Sequence, residues 1–457
     1  MKKIKTLFLV SILLVITVLT VSFDFEKNKV SLLDNRMLTE LNVISSDNID
    51  NYISDRVGLR KEMVGIYNWI NAKLFNVSTH PSKLLGKDNN LFPMPDDYVE
   101  YGSYHEKFLN SIKIIQDYCL NRGVDFYFVL DPSKAVIESY LLPDGVNVNS
   151  KWIEEFVEKS KEKGINIIDN YSYLKEISEN GERLYNDQYD VYHWSDYGAY
   201  MGINNILENI KNDYNNIGVN KLSDFNIEKH NIKGSLFGSQ FIDEEIDYYT
   251  PKLKTDNHAD AYKENLNFHE DFEEFYYFET GDEEKPNVLA FEGSYLISED
   301  RTERFIANNF NKTIAVHNYQ NIYNIDYYFN IFQPDIVIFE IADYVLIEYY
   351  FSEYYMETMK LQEAYSDYSS YKVEEIELSG YEISQKGMYE EMIVPKELEY
   401  TYAYLITENG VYDFYDLDND YMAITLLSNT IENADESKIT FVDTVSQIKY
   451  ECKIKGS

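Results

Sequence analysis

Cysteine is scarce in this 457-residue chain, and the common metal and cofactor motifs are missing. The two cysteines, Cys119 and Cys452, lie far apart and form no CxxC pair, so neither a disulfide framework nor a cysteine metal site is predicted. The sequence also contains no HExxH motif and no glycine-rich phosphate-binding loop, which would indicate a zinc protease or a nucleotide site. We therefore predict no metal and no cofactor.

Basic residues are few relative to acidic ones, with 41 Lys and Arg against 79 Asp and Glu and a formal net charge of -38 at pH 7. Because a nucleic-acid binder must neutralise phosphates with Lys and Arg, this balance excludes nucleic acid as a partner. It also argues against broad attraction to anionic lipid. A neutral glycan or a small ester is more compatible, although the acidity could simply keep a secreted domain soluble. The 43 tyrosines suit sugar faces, but biased composition explains most of them equally well.

The N-terminal segment 7–23 carries no charge and is long enough, at about 26 Å as a helix, to reach across a thin bilayer. Lysines precede it and acidic residues follow it: Lys2, Lys3, Lys5, Asp24 and Glu26. This asymmetry predicts a signal anchor over residues 1–24 with the bulk of the chain outside the cytoplasm. Cleavage and secretion is the alternative, although no small-residue cleavage site follows the segment. A buried core helix fits less well, because the segment has no polar face.

The rest of the chain divides into regions that differ in the spacing of their apolar residues. Residues 25–95 have apolar residues at helical spacing and are predicted as a helical neck. Residues 96–370 alternate short apolar runs with amphipathic stretches, which predicts an α/β domain built on a parallel sheet. An acidic insertion at about 215–285 interrupts this domain, and 371–457 reads as a small β-rich C-terminal domain. The predicted strands are 124–130, 165–169, 287–293, 312–317 and 335–342, and the predicted helices are 107–120, 151–163, 195–211 and 296–310.

Two local motifs could carry chemistry, and they lie about a hundred residues apart. Ser294 follows Gly293 where a predicted strand turns into a helix, which would expose its hydroxyl at the carboxyl end of the sheet beside backbone N–H groups. A serine hydroxyl needs a neighbouring base, and His193 with Asp190 three residues earlier could supply the base and its orienting acid. Each motif alone is common and is usually structural. Of the seven histidines, His193 and His317 both follow plausible strands and both stay candidates for the base.

Several stretches together resemble the SGNH/GDSL hydrolase superfamily, and within it the alginate O-acetyltransferase-like and DHHW-type proteins of bacterial envelopes. These stretches are Asn35-Arg36, Asp55-Arg56-x-Gly58-x-Arg60, Gly86-Lys87-Asp88, Asp131-Pro132-Ser133-Lys134, Leu141-Leu142-Pro143, Asp190-x-x-His193-Trp194, Asp196-x-Gly198-Ala199, Glu292-Gly293-Ser294 and Pro334 to Glu340. The acid stands three residues before the histidine, where the acetyltransferase branch usually has two, and Gly293 stands where that branch has Asp.

The resemblance implies a flavodoxin-like three-layer core and a triad of Ser294, His193 and Asp190 that transfers acyl groups outside the cytoplasm. It also implies a multi-spanning membrane acyltransferase as partner. Further substrate or oxyanion candidates are Gly293, Tyr295, Asn318, Asn321, Trp194 and Lys134.

Three hypotheses for the function follow. The first is an O-acyltransferase, most simply an O-acetyltransferase, that modifies a cell-surface polysaccharide through an acyl-serine. The second is an esterase or deacetylase with the same triad, in which water instead of sugar attacks the acyl-enzyme. The third is a non-catalytic glycan-binding or scaffold protein on an SGNH-like core.

Overall fold

The structure is a computed structural model that describes most of the chain. The described residues are 2–23, 30–31, 36–40, 45–75, 78, 82–94, 99–234, 241–268, 274–296, 302–366, 368–378, 380–417, 419–431 and 437–454. Asp24, Glu26 and Asn35 lie outside these ranges, as does most of the acidic run that starts at residue 269.

The helices within the described residues are α1 (Lys2–Val21), α2 (Ser46–Arg56), α3 (Arg60–Ile70), α4 (Ser103–Leu120), α5 (Lys134–Ile137), α6 (Lys151–Glu162), α7 (Asn170–Glu179), α8 (Asp196–Lys211), α9 (Ala259–Lys263), α10 (Glu303–Ala307), α11 (Ile325–Phe332) and α12 (Glu353–Thr358). The strands are β1 (Val30–Ser31), β2 (Arg36–Met37), β3 (Lys83–Leu85), β4 (Leu91–Pro93), β5 (Asp125–Asp131), β6 (Ile167–Asp169), β7 (Phe225–Gly234), β8 (Phe241–Pro251), β9 (Asp256–Asn257), β10 (Phe275–Glu279), β11 (Asn287–Glu292), β12 (Lys312–His317), β13 (Ile336–Ala342), β14 (Lys372–Glu375), β15 (Glu382–Lys386), β16 (Tyr389–Pro395), β17 (Tyr402–Thr407), β18 (Gly410–Asp413), β19 (Tyr415–Asp416), β20 (Tyr421–Leu427), β21 (Lys438–Asp443) and β22 (Ile448–Lys453).

A sheet with the strand order β6-β5-β13-β11-β12-β10-β9 forms the centre of the α/β domain. Its first five strands are parallel to one another. The strands form where short apolar runs can be covered on both faces, and every residue of the central strand β13 is buried. Helices α4, α6, α7 and α8 pack against β5 or β6. Their apolar faces join one core with the sheet, through residues such as Leu109, Ile112, Phe156 and Ile203. The predicted α/β class is confirmed.

The topology of the sheet differs from the prediction in two ways. In chain order the five parallel strands lie 2-1-5-3-4, whereas a flavodoxin-like sheet has the order 2-1-3-4-5. Counted from β11, however, the neighbours β12-β11-β13-β5-β6 have the order 2-1-3-4-5, so the flavodoxin-like arrangement is present but the chain enters it at a different strand. The sheet is also mixed, because β10 pairs antiparallel with β12 and β9 pairs antiparallel with β10. Both of these edge strands come from the predicted insertion, which thus completes the sheet.

The helix predicted over 296–310 is much shorter than expected. Residues 294–296 form a turn, and within the described part of this stretch the helix α10 covers only Glu303–Ala307. Asn308, Asn309 and Asn311 follow it, and asparagine favours turns over helix interiors because its side chain competes for backbone hydrogen bonds.

The C-terminal region forms two further sheets with a core of their own, which confirms the β-rich prediction. Their strand orders are β14-β22-β21-β17-β18 and β15-β16-β20-β19. Met392, Leu405 and Ile424 are fully buried in this second core. It is joined to the α/β domain by Asp413, which accepts hydrogen bonds from Arg122 Nη2 and Tyr118 Oη, each at 2.7 Å.

The N-terminal region contains more than the predicted neck. Helices α2 and α3 lie where the helical spacing predicted them, but residues 25–95 also contain the strand pairs β1–β2 and β3–β4. The predicted anchor segment forms most of α1. Across the residues that the structure describes, no helix satisfies both the length and the apolarity needed to cross a bilayer.

Candidate active site

Ser294 lies at the carboxyl edge of the central sheet, two residues after the end of β11. Gly293 precedes it, and a Cβ atom there would stand only 3.1 Å from Glu340 Oε2 and 3.2 Å from Tyr319 Cδ1. A side chain at position 293 would therefore require Glu340 or Tyr319 to shift. The Ser294 side chain is half-buried, and its Oγ lies 2.9 Å from His193 Nε2.

The imidazole of His193 is oriented by Asp190. Nδ1 of His193 and Oδ2 of Asp190 are 2.8 Å apart, and because a carboxylate only accepts, Nδ1 must carry the proton. Nε2 then has its lone pair directed at the serine hydroxyl. The other carboxylate oxygen of Asp190 accepts from the backbone N–H groups of Tyr192 at 2.9 Å and His193 at 3.1 Å. A spacing of three residues is thus short enough for the acid to fold back onto its own histidine.

A second carboxylate fixes the loop that leads to Asp190. Glu244, on β8 of the insertion, accepts hydrogen bonds from the backbone N–H groups of Asp187 at 2.6 Å, Gln188 at 2.9 Å and Tyr189 at 2.7 Å. Asp196, at the start of α8, accepts in turn from the backbone N–H of Tyr249 at 2.7 Å. The hairpin β7–β8 therefore supports the loop that carries the imidazole, a function that its acidic composition did not indicate.

His317, the other candidate base, is bonded elsewhere. It lies at the end of β12, and its Nδ1 is 2.8 Å from the carbonyl oxygen of Glu292. Burial lowers its pKa. His193, and not His317, is the histidine that the structure places at hydrogen-bond distance from Ser294.

Trp194 and Tyr295 join the two motifs instead of facing a substrate. Trp194 Nε1 donates to the carbonyl oxygen of Tyr295 at 3.1 Å, and Tyr295 Oη donates to the carbonyl oxygen of Tyr192 at 2.6 Å. Their rings meet edge to face at 5.0 Å, and both side chains are buried. These bonds and burial make the two side chains a structural link between Ser294 and His193, and their role as substrate or oxyanion groups stays a prediction.

The predicted oxyanion donors are also engaged with the protein. The N–H of Gly293 donates to Glu340 Oε2 at 2.7 Å. The amide of Asn321 is fully buried and donates to the carbonyl oxygens of His317 and Asn318, at 3.2 and 2.9 Å. Asn318 is buried as well and its Oδ1 accepts from the N–H of Gln320 at 3.0 Å. These bonds fix the loops around the serine. Because the contact of Asn318 uses its amide oxygen and not its NH₂ group, the assignment of Asn318 as an oxyanion donor stays a prediction.

Lys134 is likewise structural. Its side chain is completely buried, and its ammonium donates to three backbone carbonyls, those of Leu91 at 2.8 Å, Asn186 at 2.6 Å and Asp187 at 2.9 Å. Burial lowers its pKa to about 8. With all three donors used, the ammonium holds the loop before Asp190, and the prediction that it contacts substrate is wrong.

Tyr344 is a site residue that the sequence did not reveal. It follows the central strand β13, and its hydroxyl lies 3.5 Å from Ser294 Oγ. Burial raises the pKa of this phenol, so it stays a proton donor at neutral pH. Its position after a strand at the edge where α/β sheets bind ligands was the available signal, but it is one tyrosine among 43.

A cavity of about 480 Å³ opens beside Tyr344, a volume typical of small-molecule sites. Its wall is largely apolar, with Ala135, Val136, Val148, Trp152, Val191 and Leu346 among its lining residues. The polar groups of the wall are partly satisfied within the protein, because Ser133 Oγ donates to Asp343 Oδ2 at 3.0 Å and Asn149 Nδ2 donates to the carbonyl oxygen of Val99 at 2.8 Å. The cavity thus offers apolar contact close to the serine.

Four carboxyl groups are buried under this edge of the sheet. Burial raises the pKa of Asp131 to about 7 and that of Asp343 to about 6. Burial also raises the pKa values of Glu292 and Glu340 well above their ordinary range. These four carboxyls are therefore expected to stay protonated in the folded state over part of the neutral range.

Over the described residues, no group of three or more His, Cys, Asp or Glu side chains is arranged to hold a metal ion.

Glu292→Gln is expected to stabilise the protein more at high pH than at low pH. Both carboxyl oxygens of Glu292 are buried with no hydrogen-bond partner among the described residues, and the raised pKa of Glu292 in the folded protein favours the protonated form. The original protein has its full stability at pH values below the pKa of Glu292 in the unfolded chain. It loses stability as the pH rises toward the higher pKa of Glu292 in the folded protein. Urea unfolding should show a gain of about 1–3 kcal/mol at pH 8 that shrinks toward zero at pH 4.5. The exposed Glu182→Gln should show no such trend, and an equal gain at both pH values would contradict this explanation.

Residues 84–264 match the model of a known protein family. The model describes the SGNH hydrolase-like domain of the acetyltransferase AlgX. This segment of the chain is therefore similar to an SGNH hydrolase-like domain. The resemblance expected from the sequence is confirmed, and the matched segment includes Asp190 and His193, whereas Ser294 lies beyond its C-terminal end. No curated protein sequence matches the chain significantly.

Several solved structures resemble this chain at low sequence identity. PatB1 of Bacillus cereus with a sulfonyl adduct is 18% identical, with a TM-score of 0.45 over 58% of this chain and 94% of that one. The O-acetyltransferase domain of Pseudomonas putida AlgJ is 14% identical, with a TM-score of 0.41 over 61% and 99% of the two chains. A DHHW family protein from Eubacterium siraeum is 15% identical, with a TM-score of 0.40 over 62% and 100%.

Proposed function

We propose that this protein transfers an acyl group, most simply acetyl, from an ester donor to a hydroxyl of a cell-surface polysaccharide through an acyl-serine at Ser294. The observation that carries the proposal is the continuous arrangement from Ser294 Oγ through His193 to Asp190, with separations of 2.9 and 2.8 Å. These separations are within the range for a nucleophile, its base and an orienting acid. The match to an acetyltransferase-type SGNH domain supports the reaction class.

Each step of this reaction can be assigned to a side chain. Nε2 of His193 takes the proton as Ser294 Oγ attacks the carbonyl carbon of the donor, and it returns that proton to the departing alkoxide, which leaves an acyl-serine. A sugar hydroxyl then attacks the acyl-serine, loses its proton to the same nitrogen and carries the acyl group away while Oγ regains a proton. Asp190 stabilises the imidazolium in both halves. The cavity beside Tyr344 would receive the acyl group.

Hydrolysis is a second candidate for the same site. The side chain of His193 is 19% exposed, so water can reach Nε2 and could replace the sugar as the attacking group. The two reactions differ only in the acceptor.

Location outside the cytoplasm is a further part of the proposal. It is supported by the uncharged segment 7–23 and by the lysines before it. A membrane acyltransferase that delivers the donor group from the other side of the bilayer would then be the natural partner, as the family resemblance implies.

The partition between transfer and hydrolysis tests the proposal. The full chain is incubated with a chromogenic acetyl ester, with and without a polysaccharide acceptor, and products are identified by mass spectrometry. We expect acetylated acceptor, together with an acyl-enzyme that decays faster when acceptor is added. Free acetate alone, at a rate independent of acceptor, would favour the esterase; no turnover of any ester would contradict both.

Tyr344→Phe is expected to lower kcat/KM for ester turnover by about 10²-fold, since removal of one donor from an oxyanion site typically costs this much. The phenol lies near enough to Ser294 to donate to the developing oxyanion, and the variant keeps the ring in place. The exposed Tyr140→Phe serves as the matched control. A Tyr344→Phe enzyme with unchanged kcat/KM would remove this hydroxyl from the mechanism.

A further inference from the structure

A second concave surface lies at the same edge of the sheet, and tyrosines dominate it. This tyrosine cleft has a volume of about 570 Å³ and lies between the turn after β12 and the segment after β13. Its lining includes Tyr323, Tyr349, Tyr350, Tyr355, Gln320 and Asn324. Together they offer aromatic faces beside amide groups at an open surface.

The exposure of these rings is unusual for their size. Tyr349 is 82% exposed and Tyr355 is 49% exposed, although each ring would gain free energy from burial. Tyr323 and Tyr355 lie nearly parallel, with their ring centroids 5.9 Å apart, so the two rings form one continuous apolar surface within the cleft. A contiguous exposed aromatic surface of this kind is typical of an interaction site. The flat tyrosine ring can contact an apolar ligand face, while its hydroxyl can form hydrogen bonds with hydroxyl groups of the same ligand.

The tyrosine cleft is connected to the nucleophile through neighbouring loops. Tyr319, which packs against Gly293, lies at the start of the turn that carries Gln320 and Tyr323, and its ring meets that of Tyr350 at 5.9 Å. The segment after β13 passes through Tyr344, beside Ser294, and continues into the cleft wall. A chain-like ligand in the cleft would therefore lie along the same edge as the reacting serine.

The charges around the tyrosine cleft select against an anionic ligand. Its described lining contains no Lys, Arg or His, whereas an anion needs such a partner. The exposed Glu348 lies in the same segment, where it accepts from the backbone N–H of Glu353. Of the nearby cations, Lys107 is paired with Glu353 and Glu357, and Lys360 is exposed beyond the wall.

We propose that the tyrosine cleft binds the pyranose rings of an uncharged polysaccharide, and that it is the acceptor subsite of the reaction at Ser294. This inference rests on the proposed function and narrows its substrate class from any surface glycan to a neutral one. A polyuronate would place a carboxylate on every ring beside Glu348, without a cation in the wall to offset it.

Calorimetry with defined hexasaccharides tests this assignment. The probes are the neutral cellohexaose and chitohexaose and the anionic hexagalacturonate, each titrated into the full chain at physiological salt. We expect at least one neutral hexamer to bind at least about tenfold more tightly than the uronate. The double variant Tyr349→Ala/Tyr355→Ala should weaken that binding at least about tenfold, whereas Tyr140→Ala, an exposed tyrosine outside the cleft, should not change it.

The tyrosine-cleft assignment is overturned if neither neutral hexamer binds, if the uronate binds as tightly, or if the double variant binds like the original chain. The proposed function is tested separately, by the loss of chromogenic ester turnover in Ser294→Ala. Because that small ester needs no contact with the cleft to react at Ser294, ester turnover without hexamer binding would leave the proposed function standing and reject the cleft. Binding to the cleft with turnover unaffected by Ser294→Ala would reject the proposed function.

Discussion

Ser294→Ala is expected to lower kcat/KM for a chromogenic acetyl ester by about 10⁴-fold, to the level left by binding and oxyanion contacts alone. The methyl group cannot form the acyl-enzyme, and no serine other than Ser294 has a hydroxyl within hydrogen-bond distance of His193 in the described structure. The loss should be in kcat, with a much smaller change in KM, because Oγ contributes to the reaction and little to binding. Initial rates over a range of ester concentrations measure both constants.

The matched control for this variant is Ser223→Ala. Ser223 is exposed in a short turn before β7, far along the chain from the site. It should keep full turnover, and urea unfolding of both variants shows whether either substitution disturbs the fold. A Ser294→Ala protein that retains most of its turnover would identify a different nucleophile.

Asp190→Asn is expected to lower kcat by about 10³- to 10⁴-fold while the fold is retained. The amide can still accept from the backbone N–H groups of Tyr192 and His193, but its NH₂ group can donate to Nδ1. The imidazole would then carry its proton on Nε2, where it faces Ser294 as a donor and cannot accept the hydroxyl proton. The loss should therefore appear in the rate of acylation, measured in a single turnover.

Asp196→Asn is the control for this second prediction. Its carboxylate also accepts a backbone hydrogen bond, from Tyr249, and it lies only three residues after His193, so it matches Asp190 in chemistry and neighbourhood. We expect less than about a tenfold change in acylation, because an amide oxygen can replace that acceptor. Equal losses in the two variants would mean that the carboxylates support the loop and that the tautomer of His193 is not decisive.

The fold was largely predictable where local patterns decide structure. The runs that became β5, β11, β12 and β13 are short, apolar and bounded by turns, so their strand character follows from the sequence. Their order in the sheet does not, because fully buried parallel strands resemble one another and any of them could lie at the centre. The position of β13 in the middle of the five parallel strands depends on long-range crossover connections. It also depends on which apolar surfaces remain to be covered.

The catalytic residues of the candidate site were predictable because they lie in short sequence motifs. Asp190 and His193 are close in sequence, and Ser294 follows a strand, so each could be placed at the edge of the sheet before the structure was known. The neighbours of these residues could not be placed, because adjacency in sequence does not tell whether Trp194 or Tyr295 faces the core or the solvent. Tyr344 was missed for the opposite reason, since it comes near Ser294 only through the central position of β13.

The most direct test of the proposed mechanism is covalent labelling of the full chain with a phenyl sulfonyl fluoride, followed by peptide mass spectrometry. A serine activated by His193 should be sulfonylated at one site per chain, on the peptide that contains Ser294, and labelling should fall at least about 10²-fold in His193→Gln. Uniform slow labelling of several serines, or labelling of Ser294 that does not depend on His193, would contradict the proposal that these side chains form a nucleophile and its base.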